Sequence, residues 1–184
     1  MTSSNFSIFL VVTPIYTTTV TKFLVNLKSR NAGSWANLYD LALGTGDGTT
    51  GGGNGSYIRT DTSLVGANAS YYTVNTPVLT NCEIVGTTVN FYRNGSNYTT
   101  GSVSLSMVST DVYQVFTMGA YLNTDAFDTV SKQGCKAHFH EVLVYNGSLT
   151  ATERRQVENY LISKWNISAK SLPLTHPYRK ISPI

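Results

Sequence analysis

The sequence predicts an all-β domain finished by a single C-terminal helix, and three observations carry that prediction. Strand-length apolar runs recur with turn residues between them, one turn is an Asn-Gly pair between alternating flanks, and one segment combines a helix cap with 3.6-residue periodicity. Composition agrees: Thr, Ser, Val, Tyr, Gly and Asn dominate, while Ala, Glu and Lys, which fill helix surfaces, are scarce. At 184 residues the chain fits one domain, able to bury a hydrophobic core without disulfide or metal support.

The first element is Phe6 to Val12, apolar on both faces and therefore read as a central strand covered on both sides. Lys22 to Leu27 and Trp35 to Leu41 follow as strands, split by Asn31-Ala32-Gly33. Gly44 to Gly55 reads as a surface loop. It is no phosphate cradle, because Ser56 to Arg59 continues as a strand where a helix with Lys-Ser/Thr would be needed. The run Thr88 to Tyr98 places Asn94-Gly95 between alternating flanks, the residue pair of a type I′ hairpin turn. Val112 to Ala120 and Ala137 to Tyr145 are two more strands, giving roughly nine to eleven in all, a number suited to a sandwich.

The helix is announced by Thr150-Ala151-Thr152-Glu153, a capping box. Val157, Tyr160, Leu161, Lys164 and Trp165 then share one stripe, expected to lie against the sandwich with Tyr160 and Trp165 in the core. Ser171 to Ile184 has three prolines and no periodic face, so it is expected to be an extended arm.

Charged residues make up 12% of the chain, about half the usual share. Such a surface suits extracellular modules, sugar binders and densely assembled coats better than cytosolic enzymes. The net charge of +3 is concentrated after Thr150, without the dense basic stripe of a nucleic-acid binder. No segment has membrane-spanning length, and Phe6 to Val12 lacks the flanks of a signal peptide. Cys82 and Cys135 are isolated in sequence, and buried free thiols are favoured over a pair.

Catalytic chemistry finds little support. Glycoside hydrolysis needs two carboxyl groups about 5–5.5 Å or about 6.5–9.5 Å apart, and none of Glu83, Glu141, Glu153 and Glu158 has an acidic residue two or four positions away. Glu141 is expected to accept hydrogen bonds from nearby backbone or from the helix. His138 and His140 share a strand face without a visible third ligand, and Asp125 and Asp128 are sparse for calcium. No nucleophilic triad, nucleotide fingerprint, cofactor motif or metal site emerges. Asn-x-Ser/Thr sequons begin at Asn5, Asn54, Asn68, Asn94, Asn97, Asn146 and Asn166.

Twelve tyrosines and two tryptophans are the remaining signal. Tyrosine joins an apolar face to a hydroxyl and serves both sugar stacking and protein interfaces. Tyr57, Tyr71, Tyr72, Tyr98 and Tyr121 lie near loops and are the expected ligand-binding residues.

The run Phe139-His140-Glu141-Val142-Leu143-Val144-Tyr145-Asn146-Gly147-Ser148-Leu149-Thr150, continued by Glu153, Val157, Glu158, Tyr160, Leu161, Lys164 and Trp165, resembles the closing strand and helix of concanavalin A-like (laminin-G-like) jelly-roll domains. Val89 to Gly95 resembles that family's strand and Asn-Gly hairpin, and Val115 to Gly119 the strand that follows. The resemblance spans roughly Phe6 to Trp165, with Asn166-Ile167 standing where the family usually has Gly-Leu. Lys164-Trp165 followed by Leu172-Pro173 and His176-Pro177-Tyr178 is similar to the ending of such domains in proteins of large DNA viruses, some phages and bacteria.

The resemblance implies a two-sheet antiparallel jelly-roll sandwich over residues 1–168, with an extended C-terminal arm over 169–184. It also implies a non-enzymatic structural or surface protein of a virion, of the minor capsid type, assembling with other structural proteins of a particle. Leu172, His176, Tyr178, Arg179 and Lys180 are the expected partner-gripping residues of the arm. The alternative is a lectin module that binds glycans through the loop tyrosines.

Overall fold

The computed structural model describes residues 5–15, 22–30, 40–45, 57–59, 64–66, 73–102, 113–119 and 136–167. These contain ten strands: β1 (Phe6–Pro14), β2 (Lys22–Arg30), β3 (Asp40–Thr45), β4 (Tyr57–Arg59), β5 (Leu64–Gly66), β6 (Val78–Val85), β7 (Thr88–Arg93), β8 (Ser96–Ser102), β9 (Tyr113–Met118) and β10 (Ala137–Tyr145). A single helix, α1 (Ala151–Lys164), follows. Five strands form one sheet in the order β10-β1-β6-β7-β8, three form a second in the order β3-β2-β9, and β4 pairs with β5. The pairing is antiparallel throughout. The fold is an all-β sandwich with one C-terminal helix.

The doubly apolar first strand behaves as its sequence requires. β1 lies between β10 and β6, and all nine of its residues are buried. Its side chains alternate. Phe9 and Val11 face α1, where they join Leu79, Leu161, Ile162 and Ile167 in one core cluster, while Phe6, Ile8, Leu10 and Val12 fill the opposite face. Each such side chain, fully buried, contributes about 1.5–3 kcal/mol.

Turn chemistry sets the register of the five-stranded sheet. Asn94 and Gly95 hold φ values of 45° and 78° between the paired residues Arg93 and Ser96, the type I′ geometry expected of an Asn-Gly hairpin. Asn94 is also tied sideways: its N–H donates to the Leu79 carbonyl at 2.8 Å, and its Oδ1 accepts from the Leu79 N–H at 3.0 Å.

The helix starts where the capping box places it. Thr150 is the N-cap: its hydroxyl accepts from the Glu153 N–H at 3.3 Å, and the Glu153 carboxylate accepts from the Thr150 N–H at 2.8 Å. The helix ends in a Schellman motif. Asn166 takes φ of 49°, its N–H reaches the Ser163 carbonyl at 3.5 Å, and the Ile167 N–H reaches the Ile162 carbonyl at 3.0 Å. Asn tolerates this left-handed position nearly as well as Gly does, and Ile167 supplies the apolar contact with Ile162 in the core.

Two expectations are corrected. The third strand does not end at Leu41: β3 covers Asp40–Thr45 and takes Gly44 and Thr45 from the glycine-rich loop, while residues 35–39 of the expected strand lie outside the described residues. The reason is pairing: Leu41 to Thr45 lie opposite Leu27 to Lys22 of β2, which local propensity does not report. The second correction is the helix face. Leu161 is buried and Val157 and Trp165 are partly buried, but Tyr160 is 48% exposed and Lys164 is exposed, so Tyr160 is not core. The buried stripe is Arg154, Glu158, Leu161 and Ile162, because polar partners on the sheet accept charged helix residues beneath it. Cys82 is a buried free thiol, pushed up in pKa by burial and then by neighbouring Glu83, while Cys135 lies outside the described residues.

Candidate functional site

The closing strand β10 contains one irregularity that decides which way its side chains face. Val11 pairs with Glu141 and Val12 with Phe139, so His140 is an extra residue bulged between them. Strict alternation would put Phe139 on the same face as Glu141 and Leu143. The bulge instead brings Phe139 opposite Val12, on the face that carries Val142 and Val144. It also turns two consecutive side chains, His140 and Glu141, towards the helix, where both meet Trp165.

On the helix side these residues form a clasp. Glu141 Oε2 accepts from the Trp165 indole N–H at 2.7 Å and pairs with Lys164 Nζ at 3.0 Å. Glu141 Oε1 accepts from the Tyr160 hydroxyl at 3.2 Å, and that hydroxyl accepts from Lys164 Nζ at 2.8 Å. His140 stacks obliquely on Trp165 with ring centroids 4.9 Å apart, and its Nε2 shares a hydrogen bond of 2.8 Å with the Thr13 hydroxyl. Desolvation raises the Glu141 pKa, but the bonds from Trp165, Lys164 and Tyr160 together outweigh it and hold the carboxyl below its ordinary value. A carboxylate held ionised and bonded to three donors is a fastener and a poor general acid. It accepts from the helix, as expected of an acid within an apolar strand.

A groove of about 410 Å³ runs along β10, lined by Met118 of β9 and by Phe139, His140, Glu141, Val142 and Val144. Val144 is 38% and Met118 50% exposed, so apolar surface is offered to a ligand here. A groove of this size, mostly apolar with an aromatic ring on its wall, matches the general make-up of small-ligand sites. Sequence reasoning missed it. Without the bulge Phe139 belongs to the wrong face, and nothing local brings Met118 to β10.

A second polar cluster lies beneath the helix. Arg154 places its guanidinium 3.8 Å from the centre of the Tyr92 ring, with NH1 3.8 Å from Glu83 Oε2 and Nε 3.5 Å from Glu158 Oε1. Two acids therefore share one arginine, and all three side chains are buried. Desolvation raises the Glu158 pKa most; Arg154 opposes it, Glu83 adds to it and Arg155 opposes it, leaving it at about 7. Burial likewise raises Glu83, against the pull of Arg154 and of the Tyr92 hydroxyl. Neighbouring Asn81 is fully buried with both amide atoms lacking a hydrogen-bond partner. This carboxyl pair assembles across strand and helix, where residue spacing could not show it, and the helix encloses it.

Of the residues expected to bind ligand, Tyr57 is placed at the start of β4 and Tyr98 within β8. Tyr71, Tyr72 and Tyr121 lie outside the described residues, as do Asp125, Asp128 and the arm residues Leu172, His176, Tyr178, Arg179 and Lys180. Among the described residues no three His, Cys, Asp or Glu side chains gather as a metal site, and no helix is long and apolar enough to cross a membrane.

No protein-family model matches this chain, and no curated protein matches it in sequence. Solved structures do match in fold. A sialidase of Trypanosoma rangeli in complex with sialic acid aligns with a TM-score of 0.61 at 12% identity, over 87% of this chain and 23% of the sialidase. The NanB sialidase of Streptococcus pneumoniae aligns with a TM-score of 0.61 at 14% identity, over 84% of this chain and 24% of that protein. Domain 4 of AbnA, a GH43 extracellular arabinanase of Geobacillus stearothermophilus, was solved in complex with arabinotriose. It aligns with a TM-score of 0.59 at 15% identity, over 83% of this chain and 66% of that one. The chain spans about a quarter of the sialidases' length. At such identities the likeness is one of fold: an all-β sandwich of the kind found in carbohydrate-active proteins.

Proposed function

We propose that this chain is a lectin-like carbohydrate-binding module with no catalytic activity of its own. The observation that carries the reading is the likeness to arabinanase domain 4, which matches most of this chain and was solved in complex with arabinotriose. The groove beside β10 is the binding site in this reading, with Phe139 as the ring against which a sugar stacks. The neighbours reported above are carbohydrate-active proteins and lend no support to a virion-assembly role, whose arm lies outside the described residues.

Calorimetric titration of the purified chain with arabino-oligosaccharides and a wider panel of neutral and sialylated glycans tests the reading. Saturable binding is expected for at least one glycan. Phe139→Ala is expected to weaken it by up to about tenfold, the equivalent of one lost aromatic contact. A panel with no binder defeats the proposal. Unchanged binding by Phe139→Ala keeps the function and moves the site away from the groove.

A further inference from the structure

The tripeptide Asn-Gly-Ser occurs at Asn54, Asn94 and Asn146. The first lies outside the described residues, and the fold treats the other two in opposite ways. We infer that Asn146 is a site of spontaneous deamidation in the folded protein, and that the fold protects Asn94 from the same reaction.

The chemistry needs only water. The backbone nitrogen of the following residue loses its proton and attacks Cγ of the asparagine. A new C–N bond forms, the bond from Cγ to the side-chain nitrogen breaks, and ammonia leaves. The resulting succinimide adds water at one carbonyl or the other, opening to aspartate or to isoaspartate, in which the main chain runs through the side-chain carbon. A glycine at the following position leaves that nitrogen unshielded by any side chain.

The two sites differ in whether Cγ can reach the nitrogen. Asn146 is exposed, and a Cβ built on Gly147 would meet no atom within 4 Å, so the space beside the dipeptide is open. Gly147 holds φ of 148°, a conformation that glycine tolerates and other residues rarely adopt. Asn94 is 9% exposed inside a tight hairpin turn. Its side-chain oxygen is held by the Leu79 N–H at 3.0 Å and its own N–H is held by the Leu79 carbonyl at 2.8 Å. Rotating its Cγ onto Gly95 would break the side-chain bond and open the hairpin.

Reaction at Asn146 places a carboxylate in the connection between β10 and α1 and lowers the net charge of +3 by one unit. In the isoaspartate form it also lengthens that connection by one backbone atom, beside the Gly147 carbonyl that accepts from the Ser7 hydroxyl at 3.2 Å. The joint between closing strand and helix therefore changes charge and length with age.

The test incubates the intact chain at mildly alkaline pH, folded and in denaturant, and follows both peptides by mass spectrometry, with isoaspartate scored by enzymatic methylation. In denaturant both asparagines should convert at similar rates. In the folded chain Asn146 should convert at nearly its denatured rate. Asn94 should lag by at least about tenfold, the factor that corresponds to ~1.4 kcal/mol of local opening. The inference is overturned if Asn146 stays intact in the folded chain while converting in denaturant, or if the folded chain converts Asn94 as fast as Asn146.

Discussion

The indole N–H of Trp165 donates to Glu141 Oε2 at 2.7 Å, joining the residue that caps α1 to the edge strand β10. The same carboxylate takes a second and a third donor from Lys164 and Tyr160, so the C-terminal turn of the helix is fastened at one point on the sheet. Replacing Trp165 by Phe keeps most of the packing and removes this one bond. A loss of about 1 kcal/mol is expected in urea melts, with Tyr160→Phe costing less because its partner is already bonded twice. Equal stability of Trp165→Phe and the parent would show that the clasp adds nothing to docking.

The helix terminus gives a prediction of opposite signs. Asn166 sits at φ of 49°, where a β-branched residue is strained and glycine is not. Asn166→Val should lower stability by about 1–2 kcal/mol, and Asn166→Gly should leave it unchanged or raise it. If both substitutions cost the same, the left-handed conformation is not what position 166 demands.

Stability should depend on pH through Glu158. Its folded pKa of about 7 lies above the ordinary carboxylate value, so the folded state holds a proton that the unfolded chain has released. The contribution is complete below about pH 4.5 and is lost as pH rises through about 7. The raised pKa of Glu83 acts in the same direction. Calorimetry should therefore show the Tm rising as pH falls from about 8 to about 6, with a shallower slope in Glu158→Gln. A Tm that falls over that interval, or an unaltered slope in the variant, contradicts this account of the buried cluster.

No glycan cleavage is expected. Glu141 is ionised and fully engaged, and Glu83 and Glu158 are enclosed under the helix with Arg154 between them. Incubation with arabinans, β-glucans and sialylated substrates should release no reducing sugar or free sialic acid. Turnover abolished by Glu158→Gln or Glu141→Gln would reverse this reading.

By itself the sequence determined whatever depends on neighbours along the chain. The doubly apolar run at Phe6 to Val12 became an interior strand buried on both faces, Asn94-Gly95 made the hairpin, and Thr150 with Glu153 started the helix. In each case the forces act within a few residues: burial of both strand faces, positive φ at a turn, and capping of free amides. Only the tertiary structure decided the faces of β10 and of the helix. The bulge at His140 arises from pairing with β1, more than a hundred residues earlier, and one inserted residue reverses the alternation on which a sequence reading relies. The helix stripe was misplaced for the same reason. Arg154 and Glu158 lie off the stripe of Val157, Tyr160, Leu161, Lys164 and Trp165, and their burial becomes tolerable only because Glu83 and Tyr92, on strands distant in sequence, supply partners. The groove is the sharpest case: it exists because Met118 and Phe139 come from different sheets, and no local pattern records that meeting.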